Sequence, residues 1–164
     1  MSKVITATFK TREAAEVALH RLEALGIGDS QVSVVVSENT REQAFDLKRD
    51  NKSDEGIAYG GVAGGLVGAV LGALLTAGAV AIPAAGIVVS GWLVAGAAGA
   101  GAGALTGGFV GGLIGTAIPE YEAQLHEGAV REGAILLAVR AADHDQAHQI
   151  KTTLEETDAH NIAA

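Results

Sequence analysis

Apolar and polar residues alternate from Val4 to Lys10, with Ile5, Ala7 and Phe9 on one side and Val4, Thr6 and Thr8 on the other, the two-residue period of a half-buried strand. The period then lengthens. Ala14, Val17, Ala18, Leu22 and Leu25 form a helical stripe behind a Thr11 N-cap, Glu13 and Glu16 favour the first turns, and Gly26 supplies the C-terminal stop. After the turn Gly28-Asp29-Ser30, alternation resumes from Gln31 to Ser37 through Val32, Val34 and Val36. The chain opens with a strand-helix-strand unit.

A polar stretch, Glu38 to Glu55, predicts a short helix around Thr40 to Leu47 and ends in the charged linker KRDNKSDEG. Beyond a long uncharged block, Pro119 suits the first turn of a helix that Glu120, Tyr121, Glu122 and Leu125 carry toward Gly133. An apolar strand over Ala134 to Ala141, built on Ile135, Leu137 and Val139, precedes a helix capped by Asp143 and carrying Ala147, Ile150 and Leu154. Asn161 to Ala164 add at most a stub of strand. Two strand-helix units separated by an insertion, the second preceded by an extra helix, predict a ferredoxin-like α+β sandwich with helices on one face of a small, mainly antiparallel sheet. Residues 1-55 and 120-164 form this discontinuous domain, and residues 56-119 are the insert. A three-stranded sheet of this size buries little and would gain from pairing with a second subunit.

The insert is a different physical object. From Gly56 through Pro119 there are 64 residues without an Asp, Glu, Lys, Arg or His, and 19 of the 23 glycines fall there. Gly60, Gly64, Gly68 and Gly72, then Gly99, Gly103, Gly107, Gly111 and Gly115, recur every four residues, which keeps them close to one helix face. Bulk occupies the other faces: Val62, Leu66, Val70 and Leu74 in the first half, Leu105, Phe109 and Leu113 in the second. Each interior glycine costs roughly 0.8 to 1.0 kcal/mol relative to alanine in a helix. Close approach of two backbones can offset that cost, so the glycine rows predict a zipper between helices. Pro83-Ala84-Ala85-Gly86 interrupts the pattern, leaving Tyr59 to Ile82 and about Trp92 to Ile118 as two arms of an antiparallel hairpin, about 36 and 40 Å long if fully helical.

Leftover bulk on those arms must be hidden in lipid or against other copies. Each arm exceeds the roughly 20 residues that cross a bilayer, and Arg41, Lys48, Arg49 and Lys52 before the first arm suit a cytoplasmic location for the folded part. Tyr59 and Trp92 lie near arm ends, where interfacial aromatics are found. This predicts an inner-membrane protein with its α+β domain in the cytoplasm. Against insertion, small residues dilute the hydrophobicity, and Ala95 to Ala104 contains only Ala and Gly. The alternative is a cytoplasmic soluble homo-oligomer, a scaffold or a ligand sensor, whose hairpins share a dry core. Self-assembly is expected in both.

Charge and composition narrow the chemistry. A net charge of -8 and only six aromatic residues argue against a nucleic-acid binder, which needs a basic face. Without cysteine there is no disulfide framework, Cys-ligated metal or thiol nucleophile. Met1 to Thr11 has no apolar core of signal-peptide length. His144 and His148 are four apart on the last helix beside Asp143 and Asp145, but no third ligand sits at metal spacing and HExxH is absent, so no metal is assigned. His20, His126 and His160 read as surface residues. The glycines include no G-x-x-x-x-G-K-[ST] and the block has no lysine, which excludes a phosphate loop of that kind. Paired carboxylates such as Glu120 and Glu122, or Glu155 and Glu156, read as solvated helix faces. The sequence therefore predicts a non-enzymatic protein with no cofactor and no small-molecule substrate, whose partners are other copies of itself and membrane lipid.

The order of parts resembles a known group. An opening VITATFKTREAAEVALHRLEALGI with a Val-rich strand, a glycine-rich uncharged hairpin and then YEAQLHEGAVREGAILLAVRA is similar to the bacterial general stress protein 17M-like family, also met as heat-induced stress proteins. That resemblance covers nearly the whole chain and implies a stress-associated bacterial protein without established enzymatic activity. It transfers no active-site residues.

Overall fold

The computed structural model describes residues 3-45, 79-82, 86-94 and 119-164. In chain order these form β1 (Lys3–Phe9), α1 (Arg12–Ala24), a single 3-10 turn (Asp29–Gln31), β2 (Val32–Ser37), α2 (Glu38–Phe45), β3 (Val80–Ile82), β4 (Ile87–Gly91), α3 (Glu120–Arg131), β5 (Ile135–Ala141), α4 (His144–Glu155) and β6 (His160–Ala163). One six-stranded sheet has the order β3-β4-β2-β5-β1-β6, with every neighbouring pair antiparallel. The protein is α+β. The β1-α1-β2 and β5-α4-β6 units interleave, so β5 lies between β1 and β2 while β1 lies between β5 and β6.

Local signals set the helix ends. The Thr11 hydroxyl accepts the Ala14 amide at 3.2 Å, and the Asp143 carboxylate accepts the Gln146 amide at 2.7 Å, each satisfying an amide the helix leaves unpaired. Gly26, at φ +81°, closes α1: its amide reaches the Glu23 carbonyl while Ile27 reaches Leu22 at 3.0 Å, the paired bonds of a Schellman ending. Gly133, at φ +104°, closes α3 in the same way, with Ala134 donating to Ala129. Pro119 caps α3 from outside its first turn, one position earlier than expected.

One face of the sheet carries Ile5, Ala7, Phe9, Val34, Val36, Leu137 and Val139 against Ala15, Ala18, Leu19 and Leu22 of α1 and Ala147, Ile150 and Leu154 of α4. Each large side chain buried there contributes roughly 1.5 to 3 kcal/mol. The α1 stripe is rotated from its expected position, leaving Val17 and Leu25 exposed. Ala15, Ala18, Leu19 and Leu22 make a complete i, i+3, i+4, i+7 set, which packs a continuous row where Val17 and Leu25 would lie at its flank.

The second face is covered too, which corrects the expected one-sided arrangement. Val35, Leu136, Ala138, Ile87 and Val89 pack with Ala123 and Val130 of α3 and with Leu93. Both strand parities of β5 are apolar, so neither face could be left to water.

The largest departure lies inside the insert. Val80–Ile82 and Ile87–Gly91 are strands, paired Val80 to Val89 and Ile82 to Ile87, and β4 continues onto β2 from Ser37-Ile87 to Ser33-Gly91. The expected helical hairpin therefore does not run unbroken through 56-119: the first arm is not helical at Val80–Ile82, and strand β4 begins directly after Gly86, while residues 83-85 of the expected turn lie outside the described residues. Val80, Ile82, Ile87, Val88 and Val89 are β-branched, and the β2 edge offers them a partner. Residues 92-94 are helical. The zipper positions Gly60, Gly64, Gly68, Gly72, Gly99, Gly103, Gly107, Gly111 and Gly115 lie outside the described residues. The sheet has six strands, with β6 a four-residue edge strand joined to β1 at Thr6-Ala163 and Thr8-His160 across a register shift.

Candidate functional site

The ladder registers place Lys3, Ala141, Val32, Gly91 and Val80 at one end of the sheet, here the upper end, and Phe9, Ile135, Ser37 and Ile87 at the other. At the upper end β4 passes into residues 92-94 through a tight joint. Gly91 has φ +78°, and a Cβ there would stand 2.3 Å from the Val32 carbonyl oxygen, so no other residue fits without displacing β2. The Ser33 hydroxyl accepts the Leu93 amide at 3.0 Å. Trp92 is half-buried: its indole N–H donates to the Gln31 carbonyl at 3.0 Å, and the Arg140 guanidinium lies 4.8 Å from the ring centroid. Gln31 Nε2 donates in turn to the Arg140 carbonyl at 2.9 Å. The polar edge expected to mark Trp92 as interfacial is thus spent within the protein.

This joint fixes where residues 95-118 depart, and α3 fixes where they return. Leu93 and Ala123 belong to the same apolar cluster on the second face. His126 lies over Thr6 in mid-strand, and Gly133 accepts from Thr40 beyond the lower end, so α3 starts toward the upper end. Departure and return share one face and one end. Residues 46-78 leave from α2, which follows the lower end of β2, and return through Ala79 to β3, which begins at the upper end of the same sheet.

Beneath α3 the sheet presents a polar strip, Thr6, Thr8 and Ser33, all buried. His126 joins it, 1% exposed and not on the surface as the sequence predicts. Ala123, His126 and Val130 share the buried side of α3, and their i, i+3, i+7 spacing was the available signal. His126 Nε2 lies 2.8 Å from Thr6 Oγ1, while Nδ1 is buried without a hydrogen-bond partner. Desolvation pushes its pKa from 6.5 down to about 4. A hydroxyl beside an imidazole is the start of a nucleophile-base pair. Here Thr6 is fully buried and, among the described residues, Nδ1 has no partner to orient it, so the two groups meet as a contact between α3 and β1.

The other expected surface groups are scattered. His144 and His148 are exposed on α4, with His148 Nδ1 3.2 Å from Thr152 Oγ1. Among the described residues no group of three or more His, Cys, Asp or Glu could hold a metal ion. His20 is exposed and His160 half-buried. Glu120, Glu155 and Glu156 are exposed and Glu122 half-buried, with Glu156 3.7 Å from Arg21. No described helix is long and apolar enough to cross a membrane. Comparison with protein-family models, curated proteins and solved structures finds no match to this chain.

Proposed function

We propose that the chain is a non-enzymatic, self-assembling protein in which a ferredoxin-like domain, widened by the β3-β4 hairpin, presents two uncharged segments for packing with other copies. The interleaved order β6-β1-β5-β2 supports the ferredoxin-like reading. Stress association follows from the resemblance to the general stress protein 17M-like family.

The observation that carries this reading is the shared cluster of Leu93 and Ala123. A segment that leaves and returns on one side must cross a bilayer twice, which takes roughly 40 residues at about 20 per crossing. Residues 95-118 number 24 and residues 46-78 number 33, of which the unbroken uncharged run, 56-78, is 23. Neither is long enough. Reach therefore favours burial against protein over a transmembrane hairpin, and the glycine rows supply surfaces on which backbones of neighbouring segments can approach closely.

Differential centrifugation of cells expressing the protein tests this. We expect it in the detergent-free supernatant, eluting as a defined oligomer. Recovery only in the membrane pellet, released by detergent alone, overturns the reading.

A further inference from the structure

A cavity of about 440 Å³ opens between α4 and the start of β1 and is lined by Lys3, His144, His148, Lys151, Thr152 and Glu155. The volume is within the usual range for small-molecule sites. Its lining is unusual for this protein: in a chain of net charge -8 it gathers two ammonium groups and two imidazoles, with the Glu155 carboxylate and Ala164, the last residue of the sequence, beside them. His144, His148 and Lys151 stand at i, i+4 and i+7, so α4 presents all three along one side. Lys3 comes from a different element, 141 positions earlier than His144. Neither lysine makes an ion pair among the described residues, while the arginines Arg12, Arg21 and Arg131 are each bound to a glutamate. The cation pair is therefore uncommitted, and the hydrogen-bonded Thr152-His148 pair adds one neutral donor beside it.

We propose that this groove binds a small phosphate ester. Lys3 and Lys151 hold the phosphoryl oxygens as point charges, His144 and one member of the hydrogen-bonded Thr152-His148 pair donate hydrogen bonds, and Glu155 accepts from hydroxyls on the alcohol portion while disfavouring ligands that are anionic at both ends. The groove is on the first sheet face, away from the joint at Gly91, so the proposal is independent of the assembly reading.

Equilibrium dialysis of the full chain against radiolabelled glycerol 3-phosphate tests it at any oligomer size. We expect saturable binding of one ester per chain at concentrations on the order of millimolar or below. Affinity should fall about tenfold or more in Lys3→Met/Lys151→Met. Both lysines are exposed, so the variant should keep the wild-type circular dichroism. Glu155→Gln should bind inorganic phosphate more tightly than wild type. Phosphatidylglycerol vesicles as competitor separate the sources of the phosphoryl group: displacement of the ester assigns the groove to a lipid headgroup, and no displacement to a soluble ester. Absence of saturable binding, or unchanged affinity in the folded double-lysine variant, overturns the proposal.

Discussion

Ser33 holds Leu93 across the last rung of the β2-β4 ladder, its hydroxyl oxygen 3.0 Å from the Leu93 amide. That bond sets the direction in which the chain leaves the sheet toward residues 95-118. Gly91, between them, is the one position in the joint where the backbone conformation and the space both demand glycine.

Gly91→Ala should therefore be costly. Its Cβ meets backbone atoms of Val32 and Ser33, at 2.3 and 2.9 Å, as well as the Ser33 hydroxyl, and φ +78° is unfavourable for alanine. We expect a loss of about 3 kcal/mol or more. Ser33→Ala, which removes only the acceptor for Leu93, should cost about 1 to 2 kcal/mol. Urea unfolding of the two variants gives the comparison.

Trp92 is the chain's single tryptophan, so its fluorescence reports this joint alone. Arg140→Met removes the guanidinium above the ring and should shift the emission while costing about 0.5 to 1 kcal/mol. Trp92→Phe loses the bond to Gln31 as well and should cost about 1 to 2 kcal/mol. An emission spectrum indifferent to Arg140 would place Trp92 elsewhere.

Buried His126 makes stability depend on pH. Its folded pKa of about 4 lies below the unfolded value of 6.5, so between those values the unfolded chain binds the extra proton. The contribution is fully present above pH 6.5, declines as pH falls, and is lost by about pH 4, a total of about 3 kcal/mol. In His126→Asn this part of the slope should vanish. Denaturant midpoints measured from pH 7 to 4 check it, and equal slopes in both proteins would contradict the assignment.

The orientation of α1 can be tested by contrast. Leu22→Ala opens a cavity in the core and should cost about 2 to 5 kcal/mol, whereas Val17→Ser and Leu25→Ser should each stay within about 0.5 kcal/mol of wild type. Thermal unfolding distinguishes them.

Much of the domain was legible because its signals are short-range. Ile5, Ala7 and Phe9 alternate as a strand must, and Thr11, Gly26, Asp143 and Gly133 mark helix ends by bonds to neighbours a few residues away. Strands β3 and β4 escaped because Val80–Ile82 is apolar throughout and Ile87–Gly91 has Ser90 as its one polar residue, too few polar positions to reveal a period. Their β-branched residues were the remaining clue. His126 was misplaced because a buried imidazole depends on Thr6, 120 positions away. The joint was illegible for the same reason: Gly91 is one glycine among 23 until β2 is placed beside it.

Sedimentation velocity of the full chain and of Gly103→Leu/Gly107→Leu/Gly111→Leu in detergent-free buffer tests the central claim most directly. Leucine raises hydrophobicity but separates backbones, so the account predicts that the wild type sediments as an oligomer and the triple variant loses that assembly. An oligomer of unchanged size in the variant would contradict it.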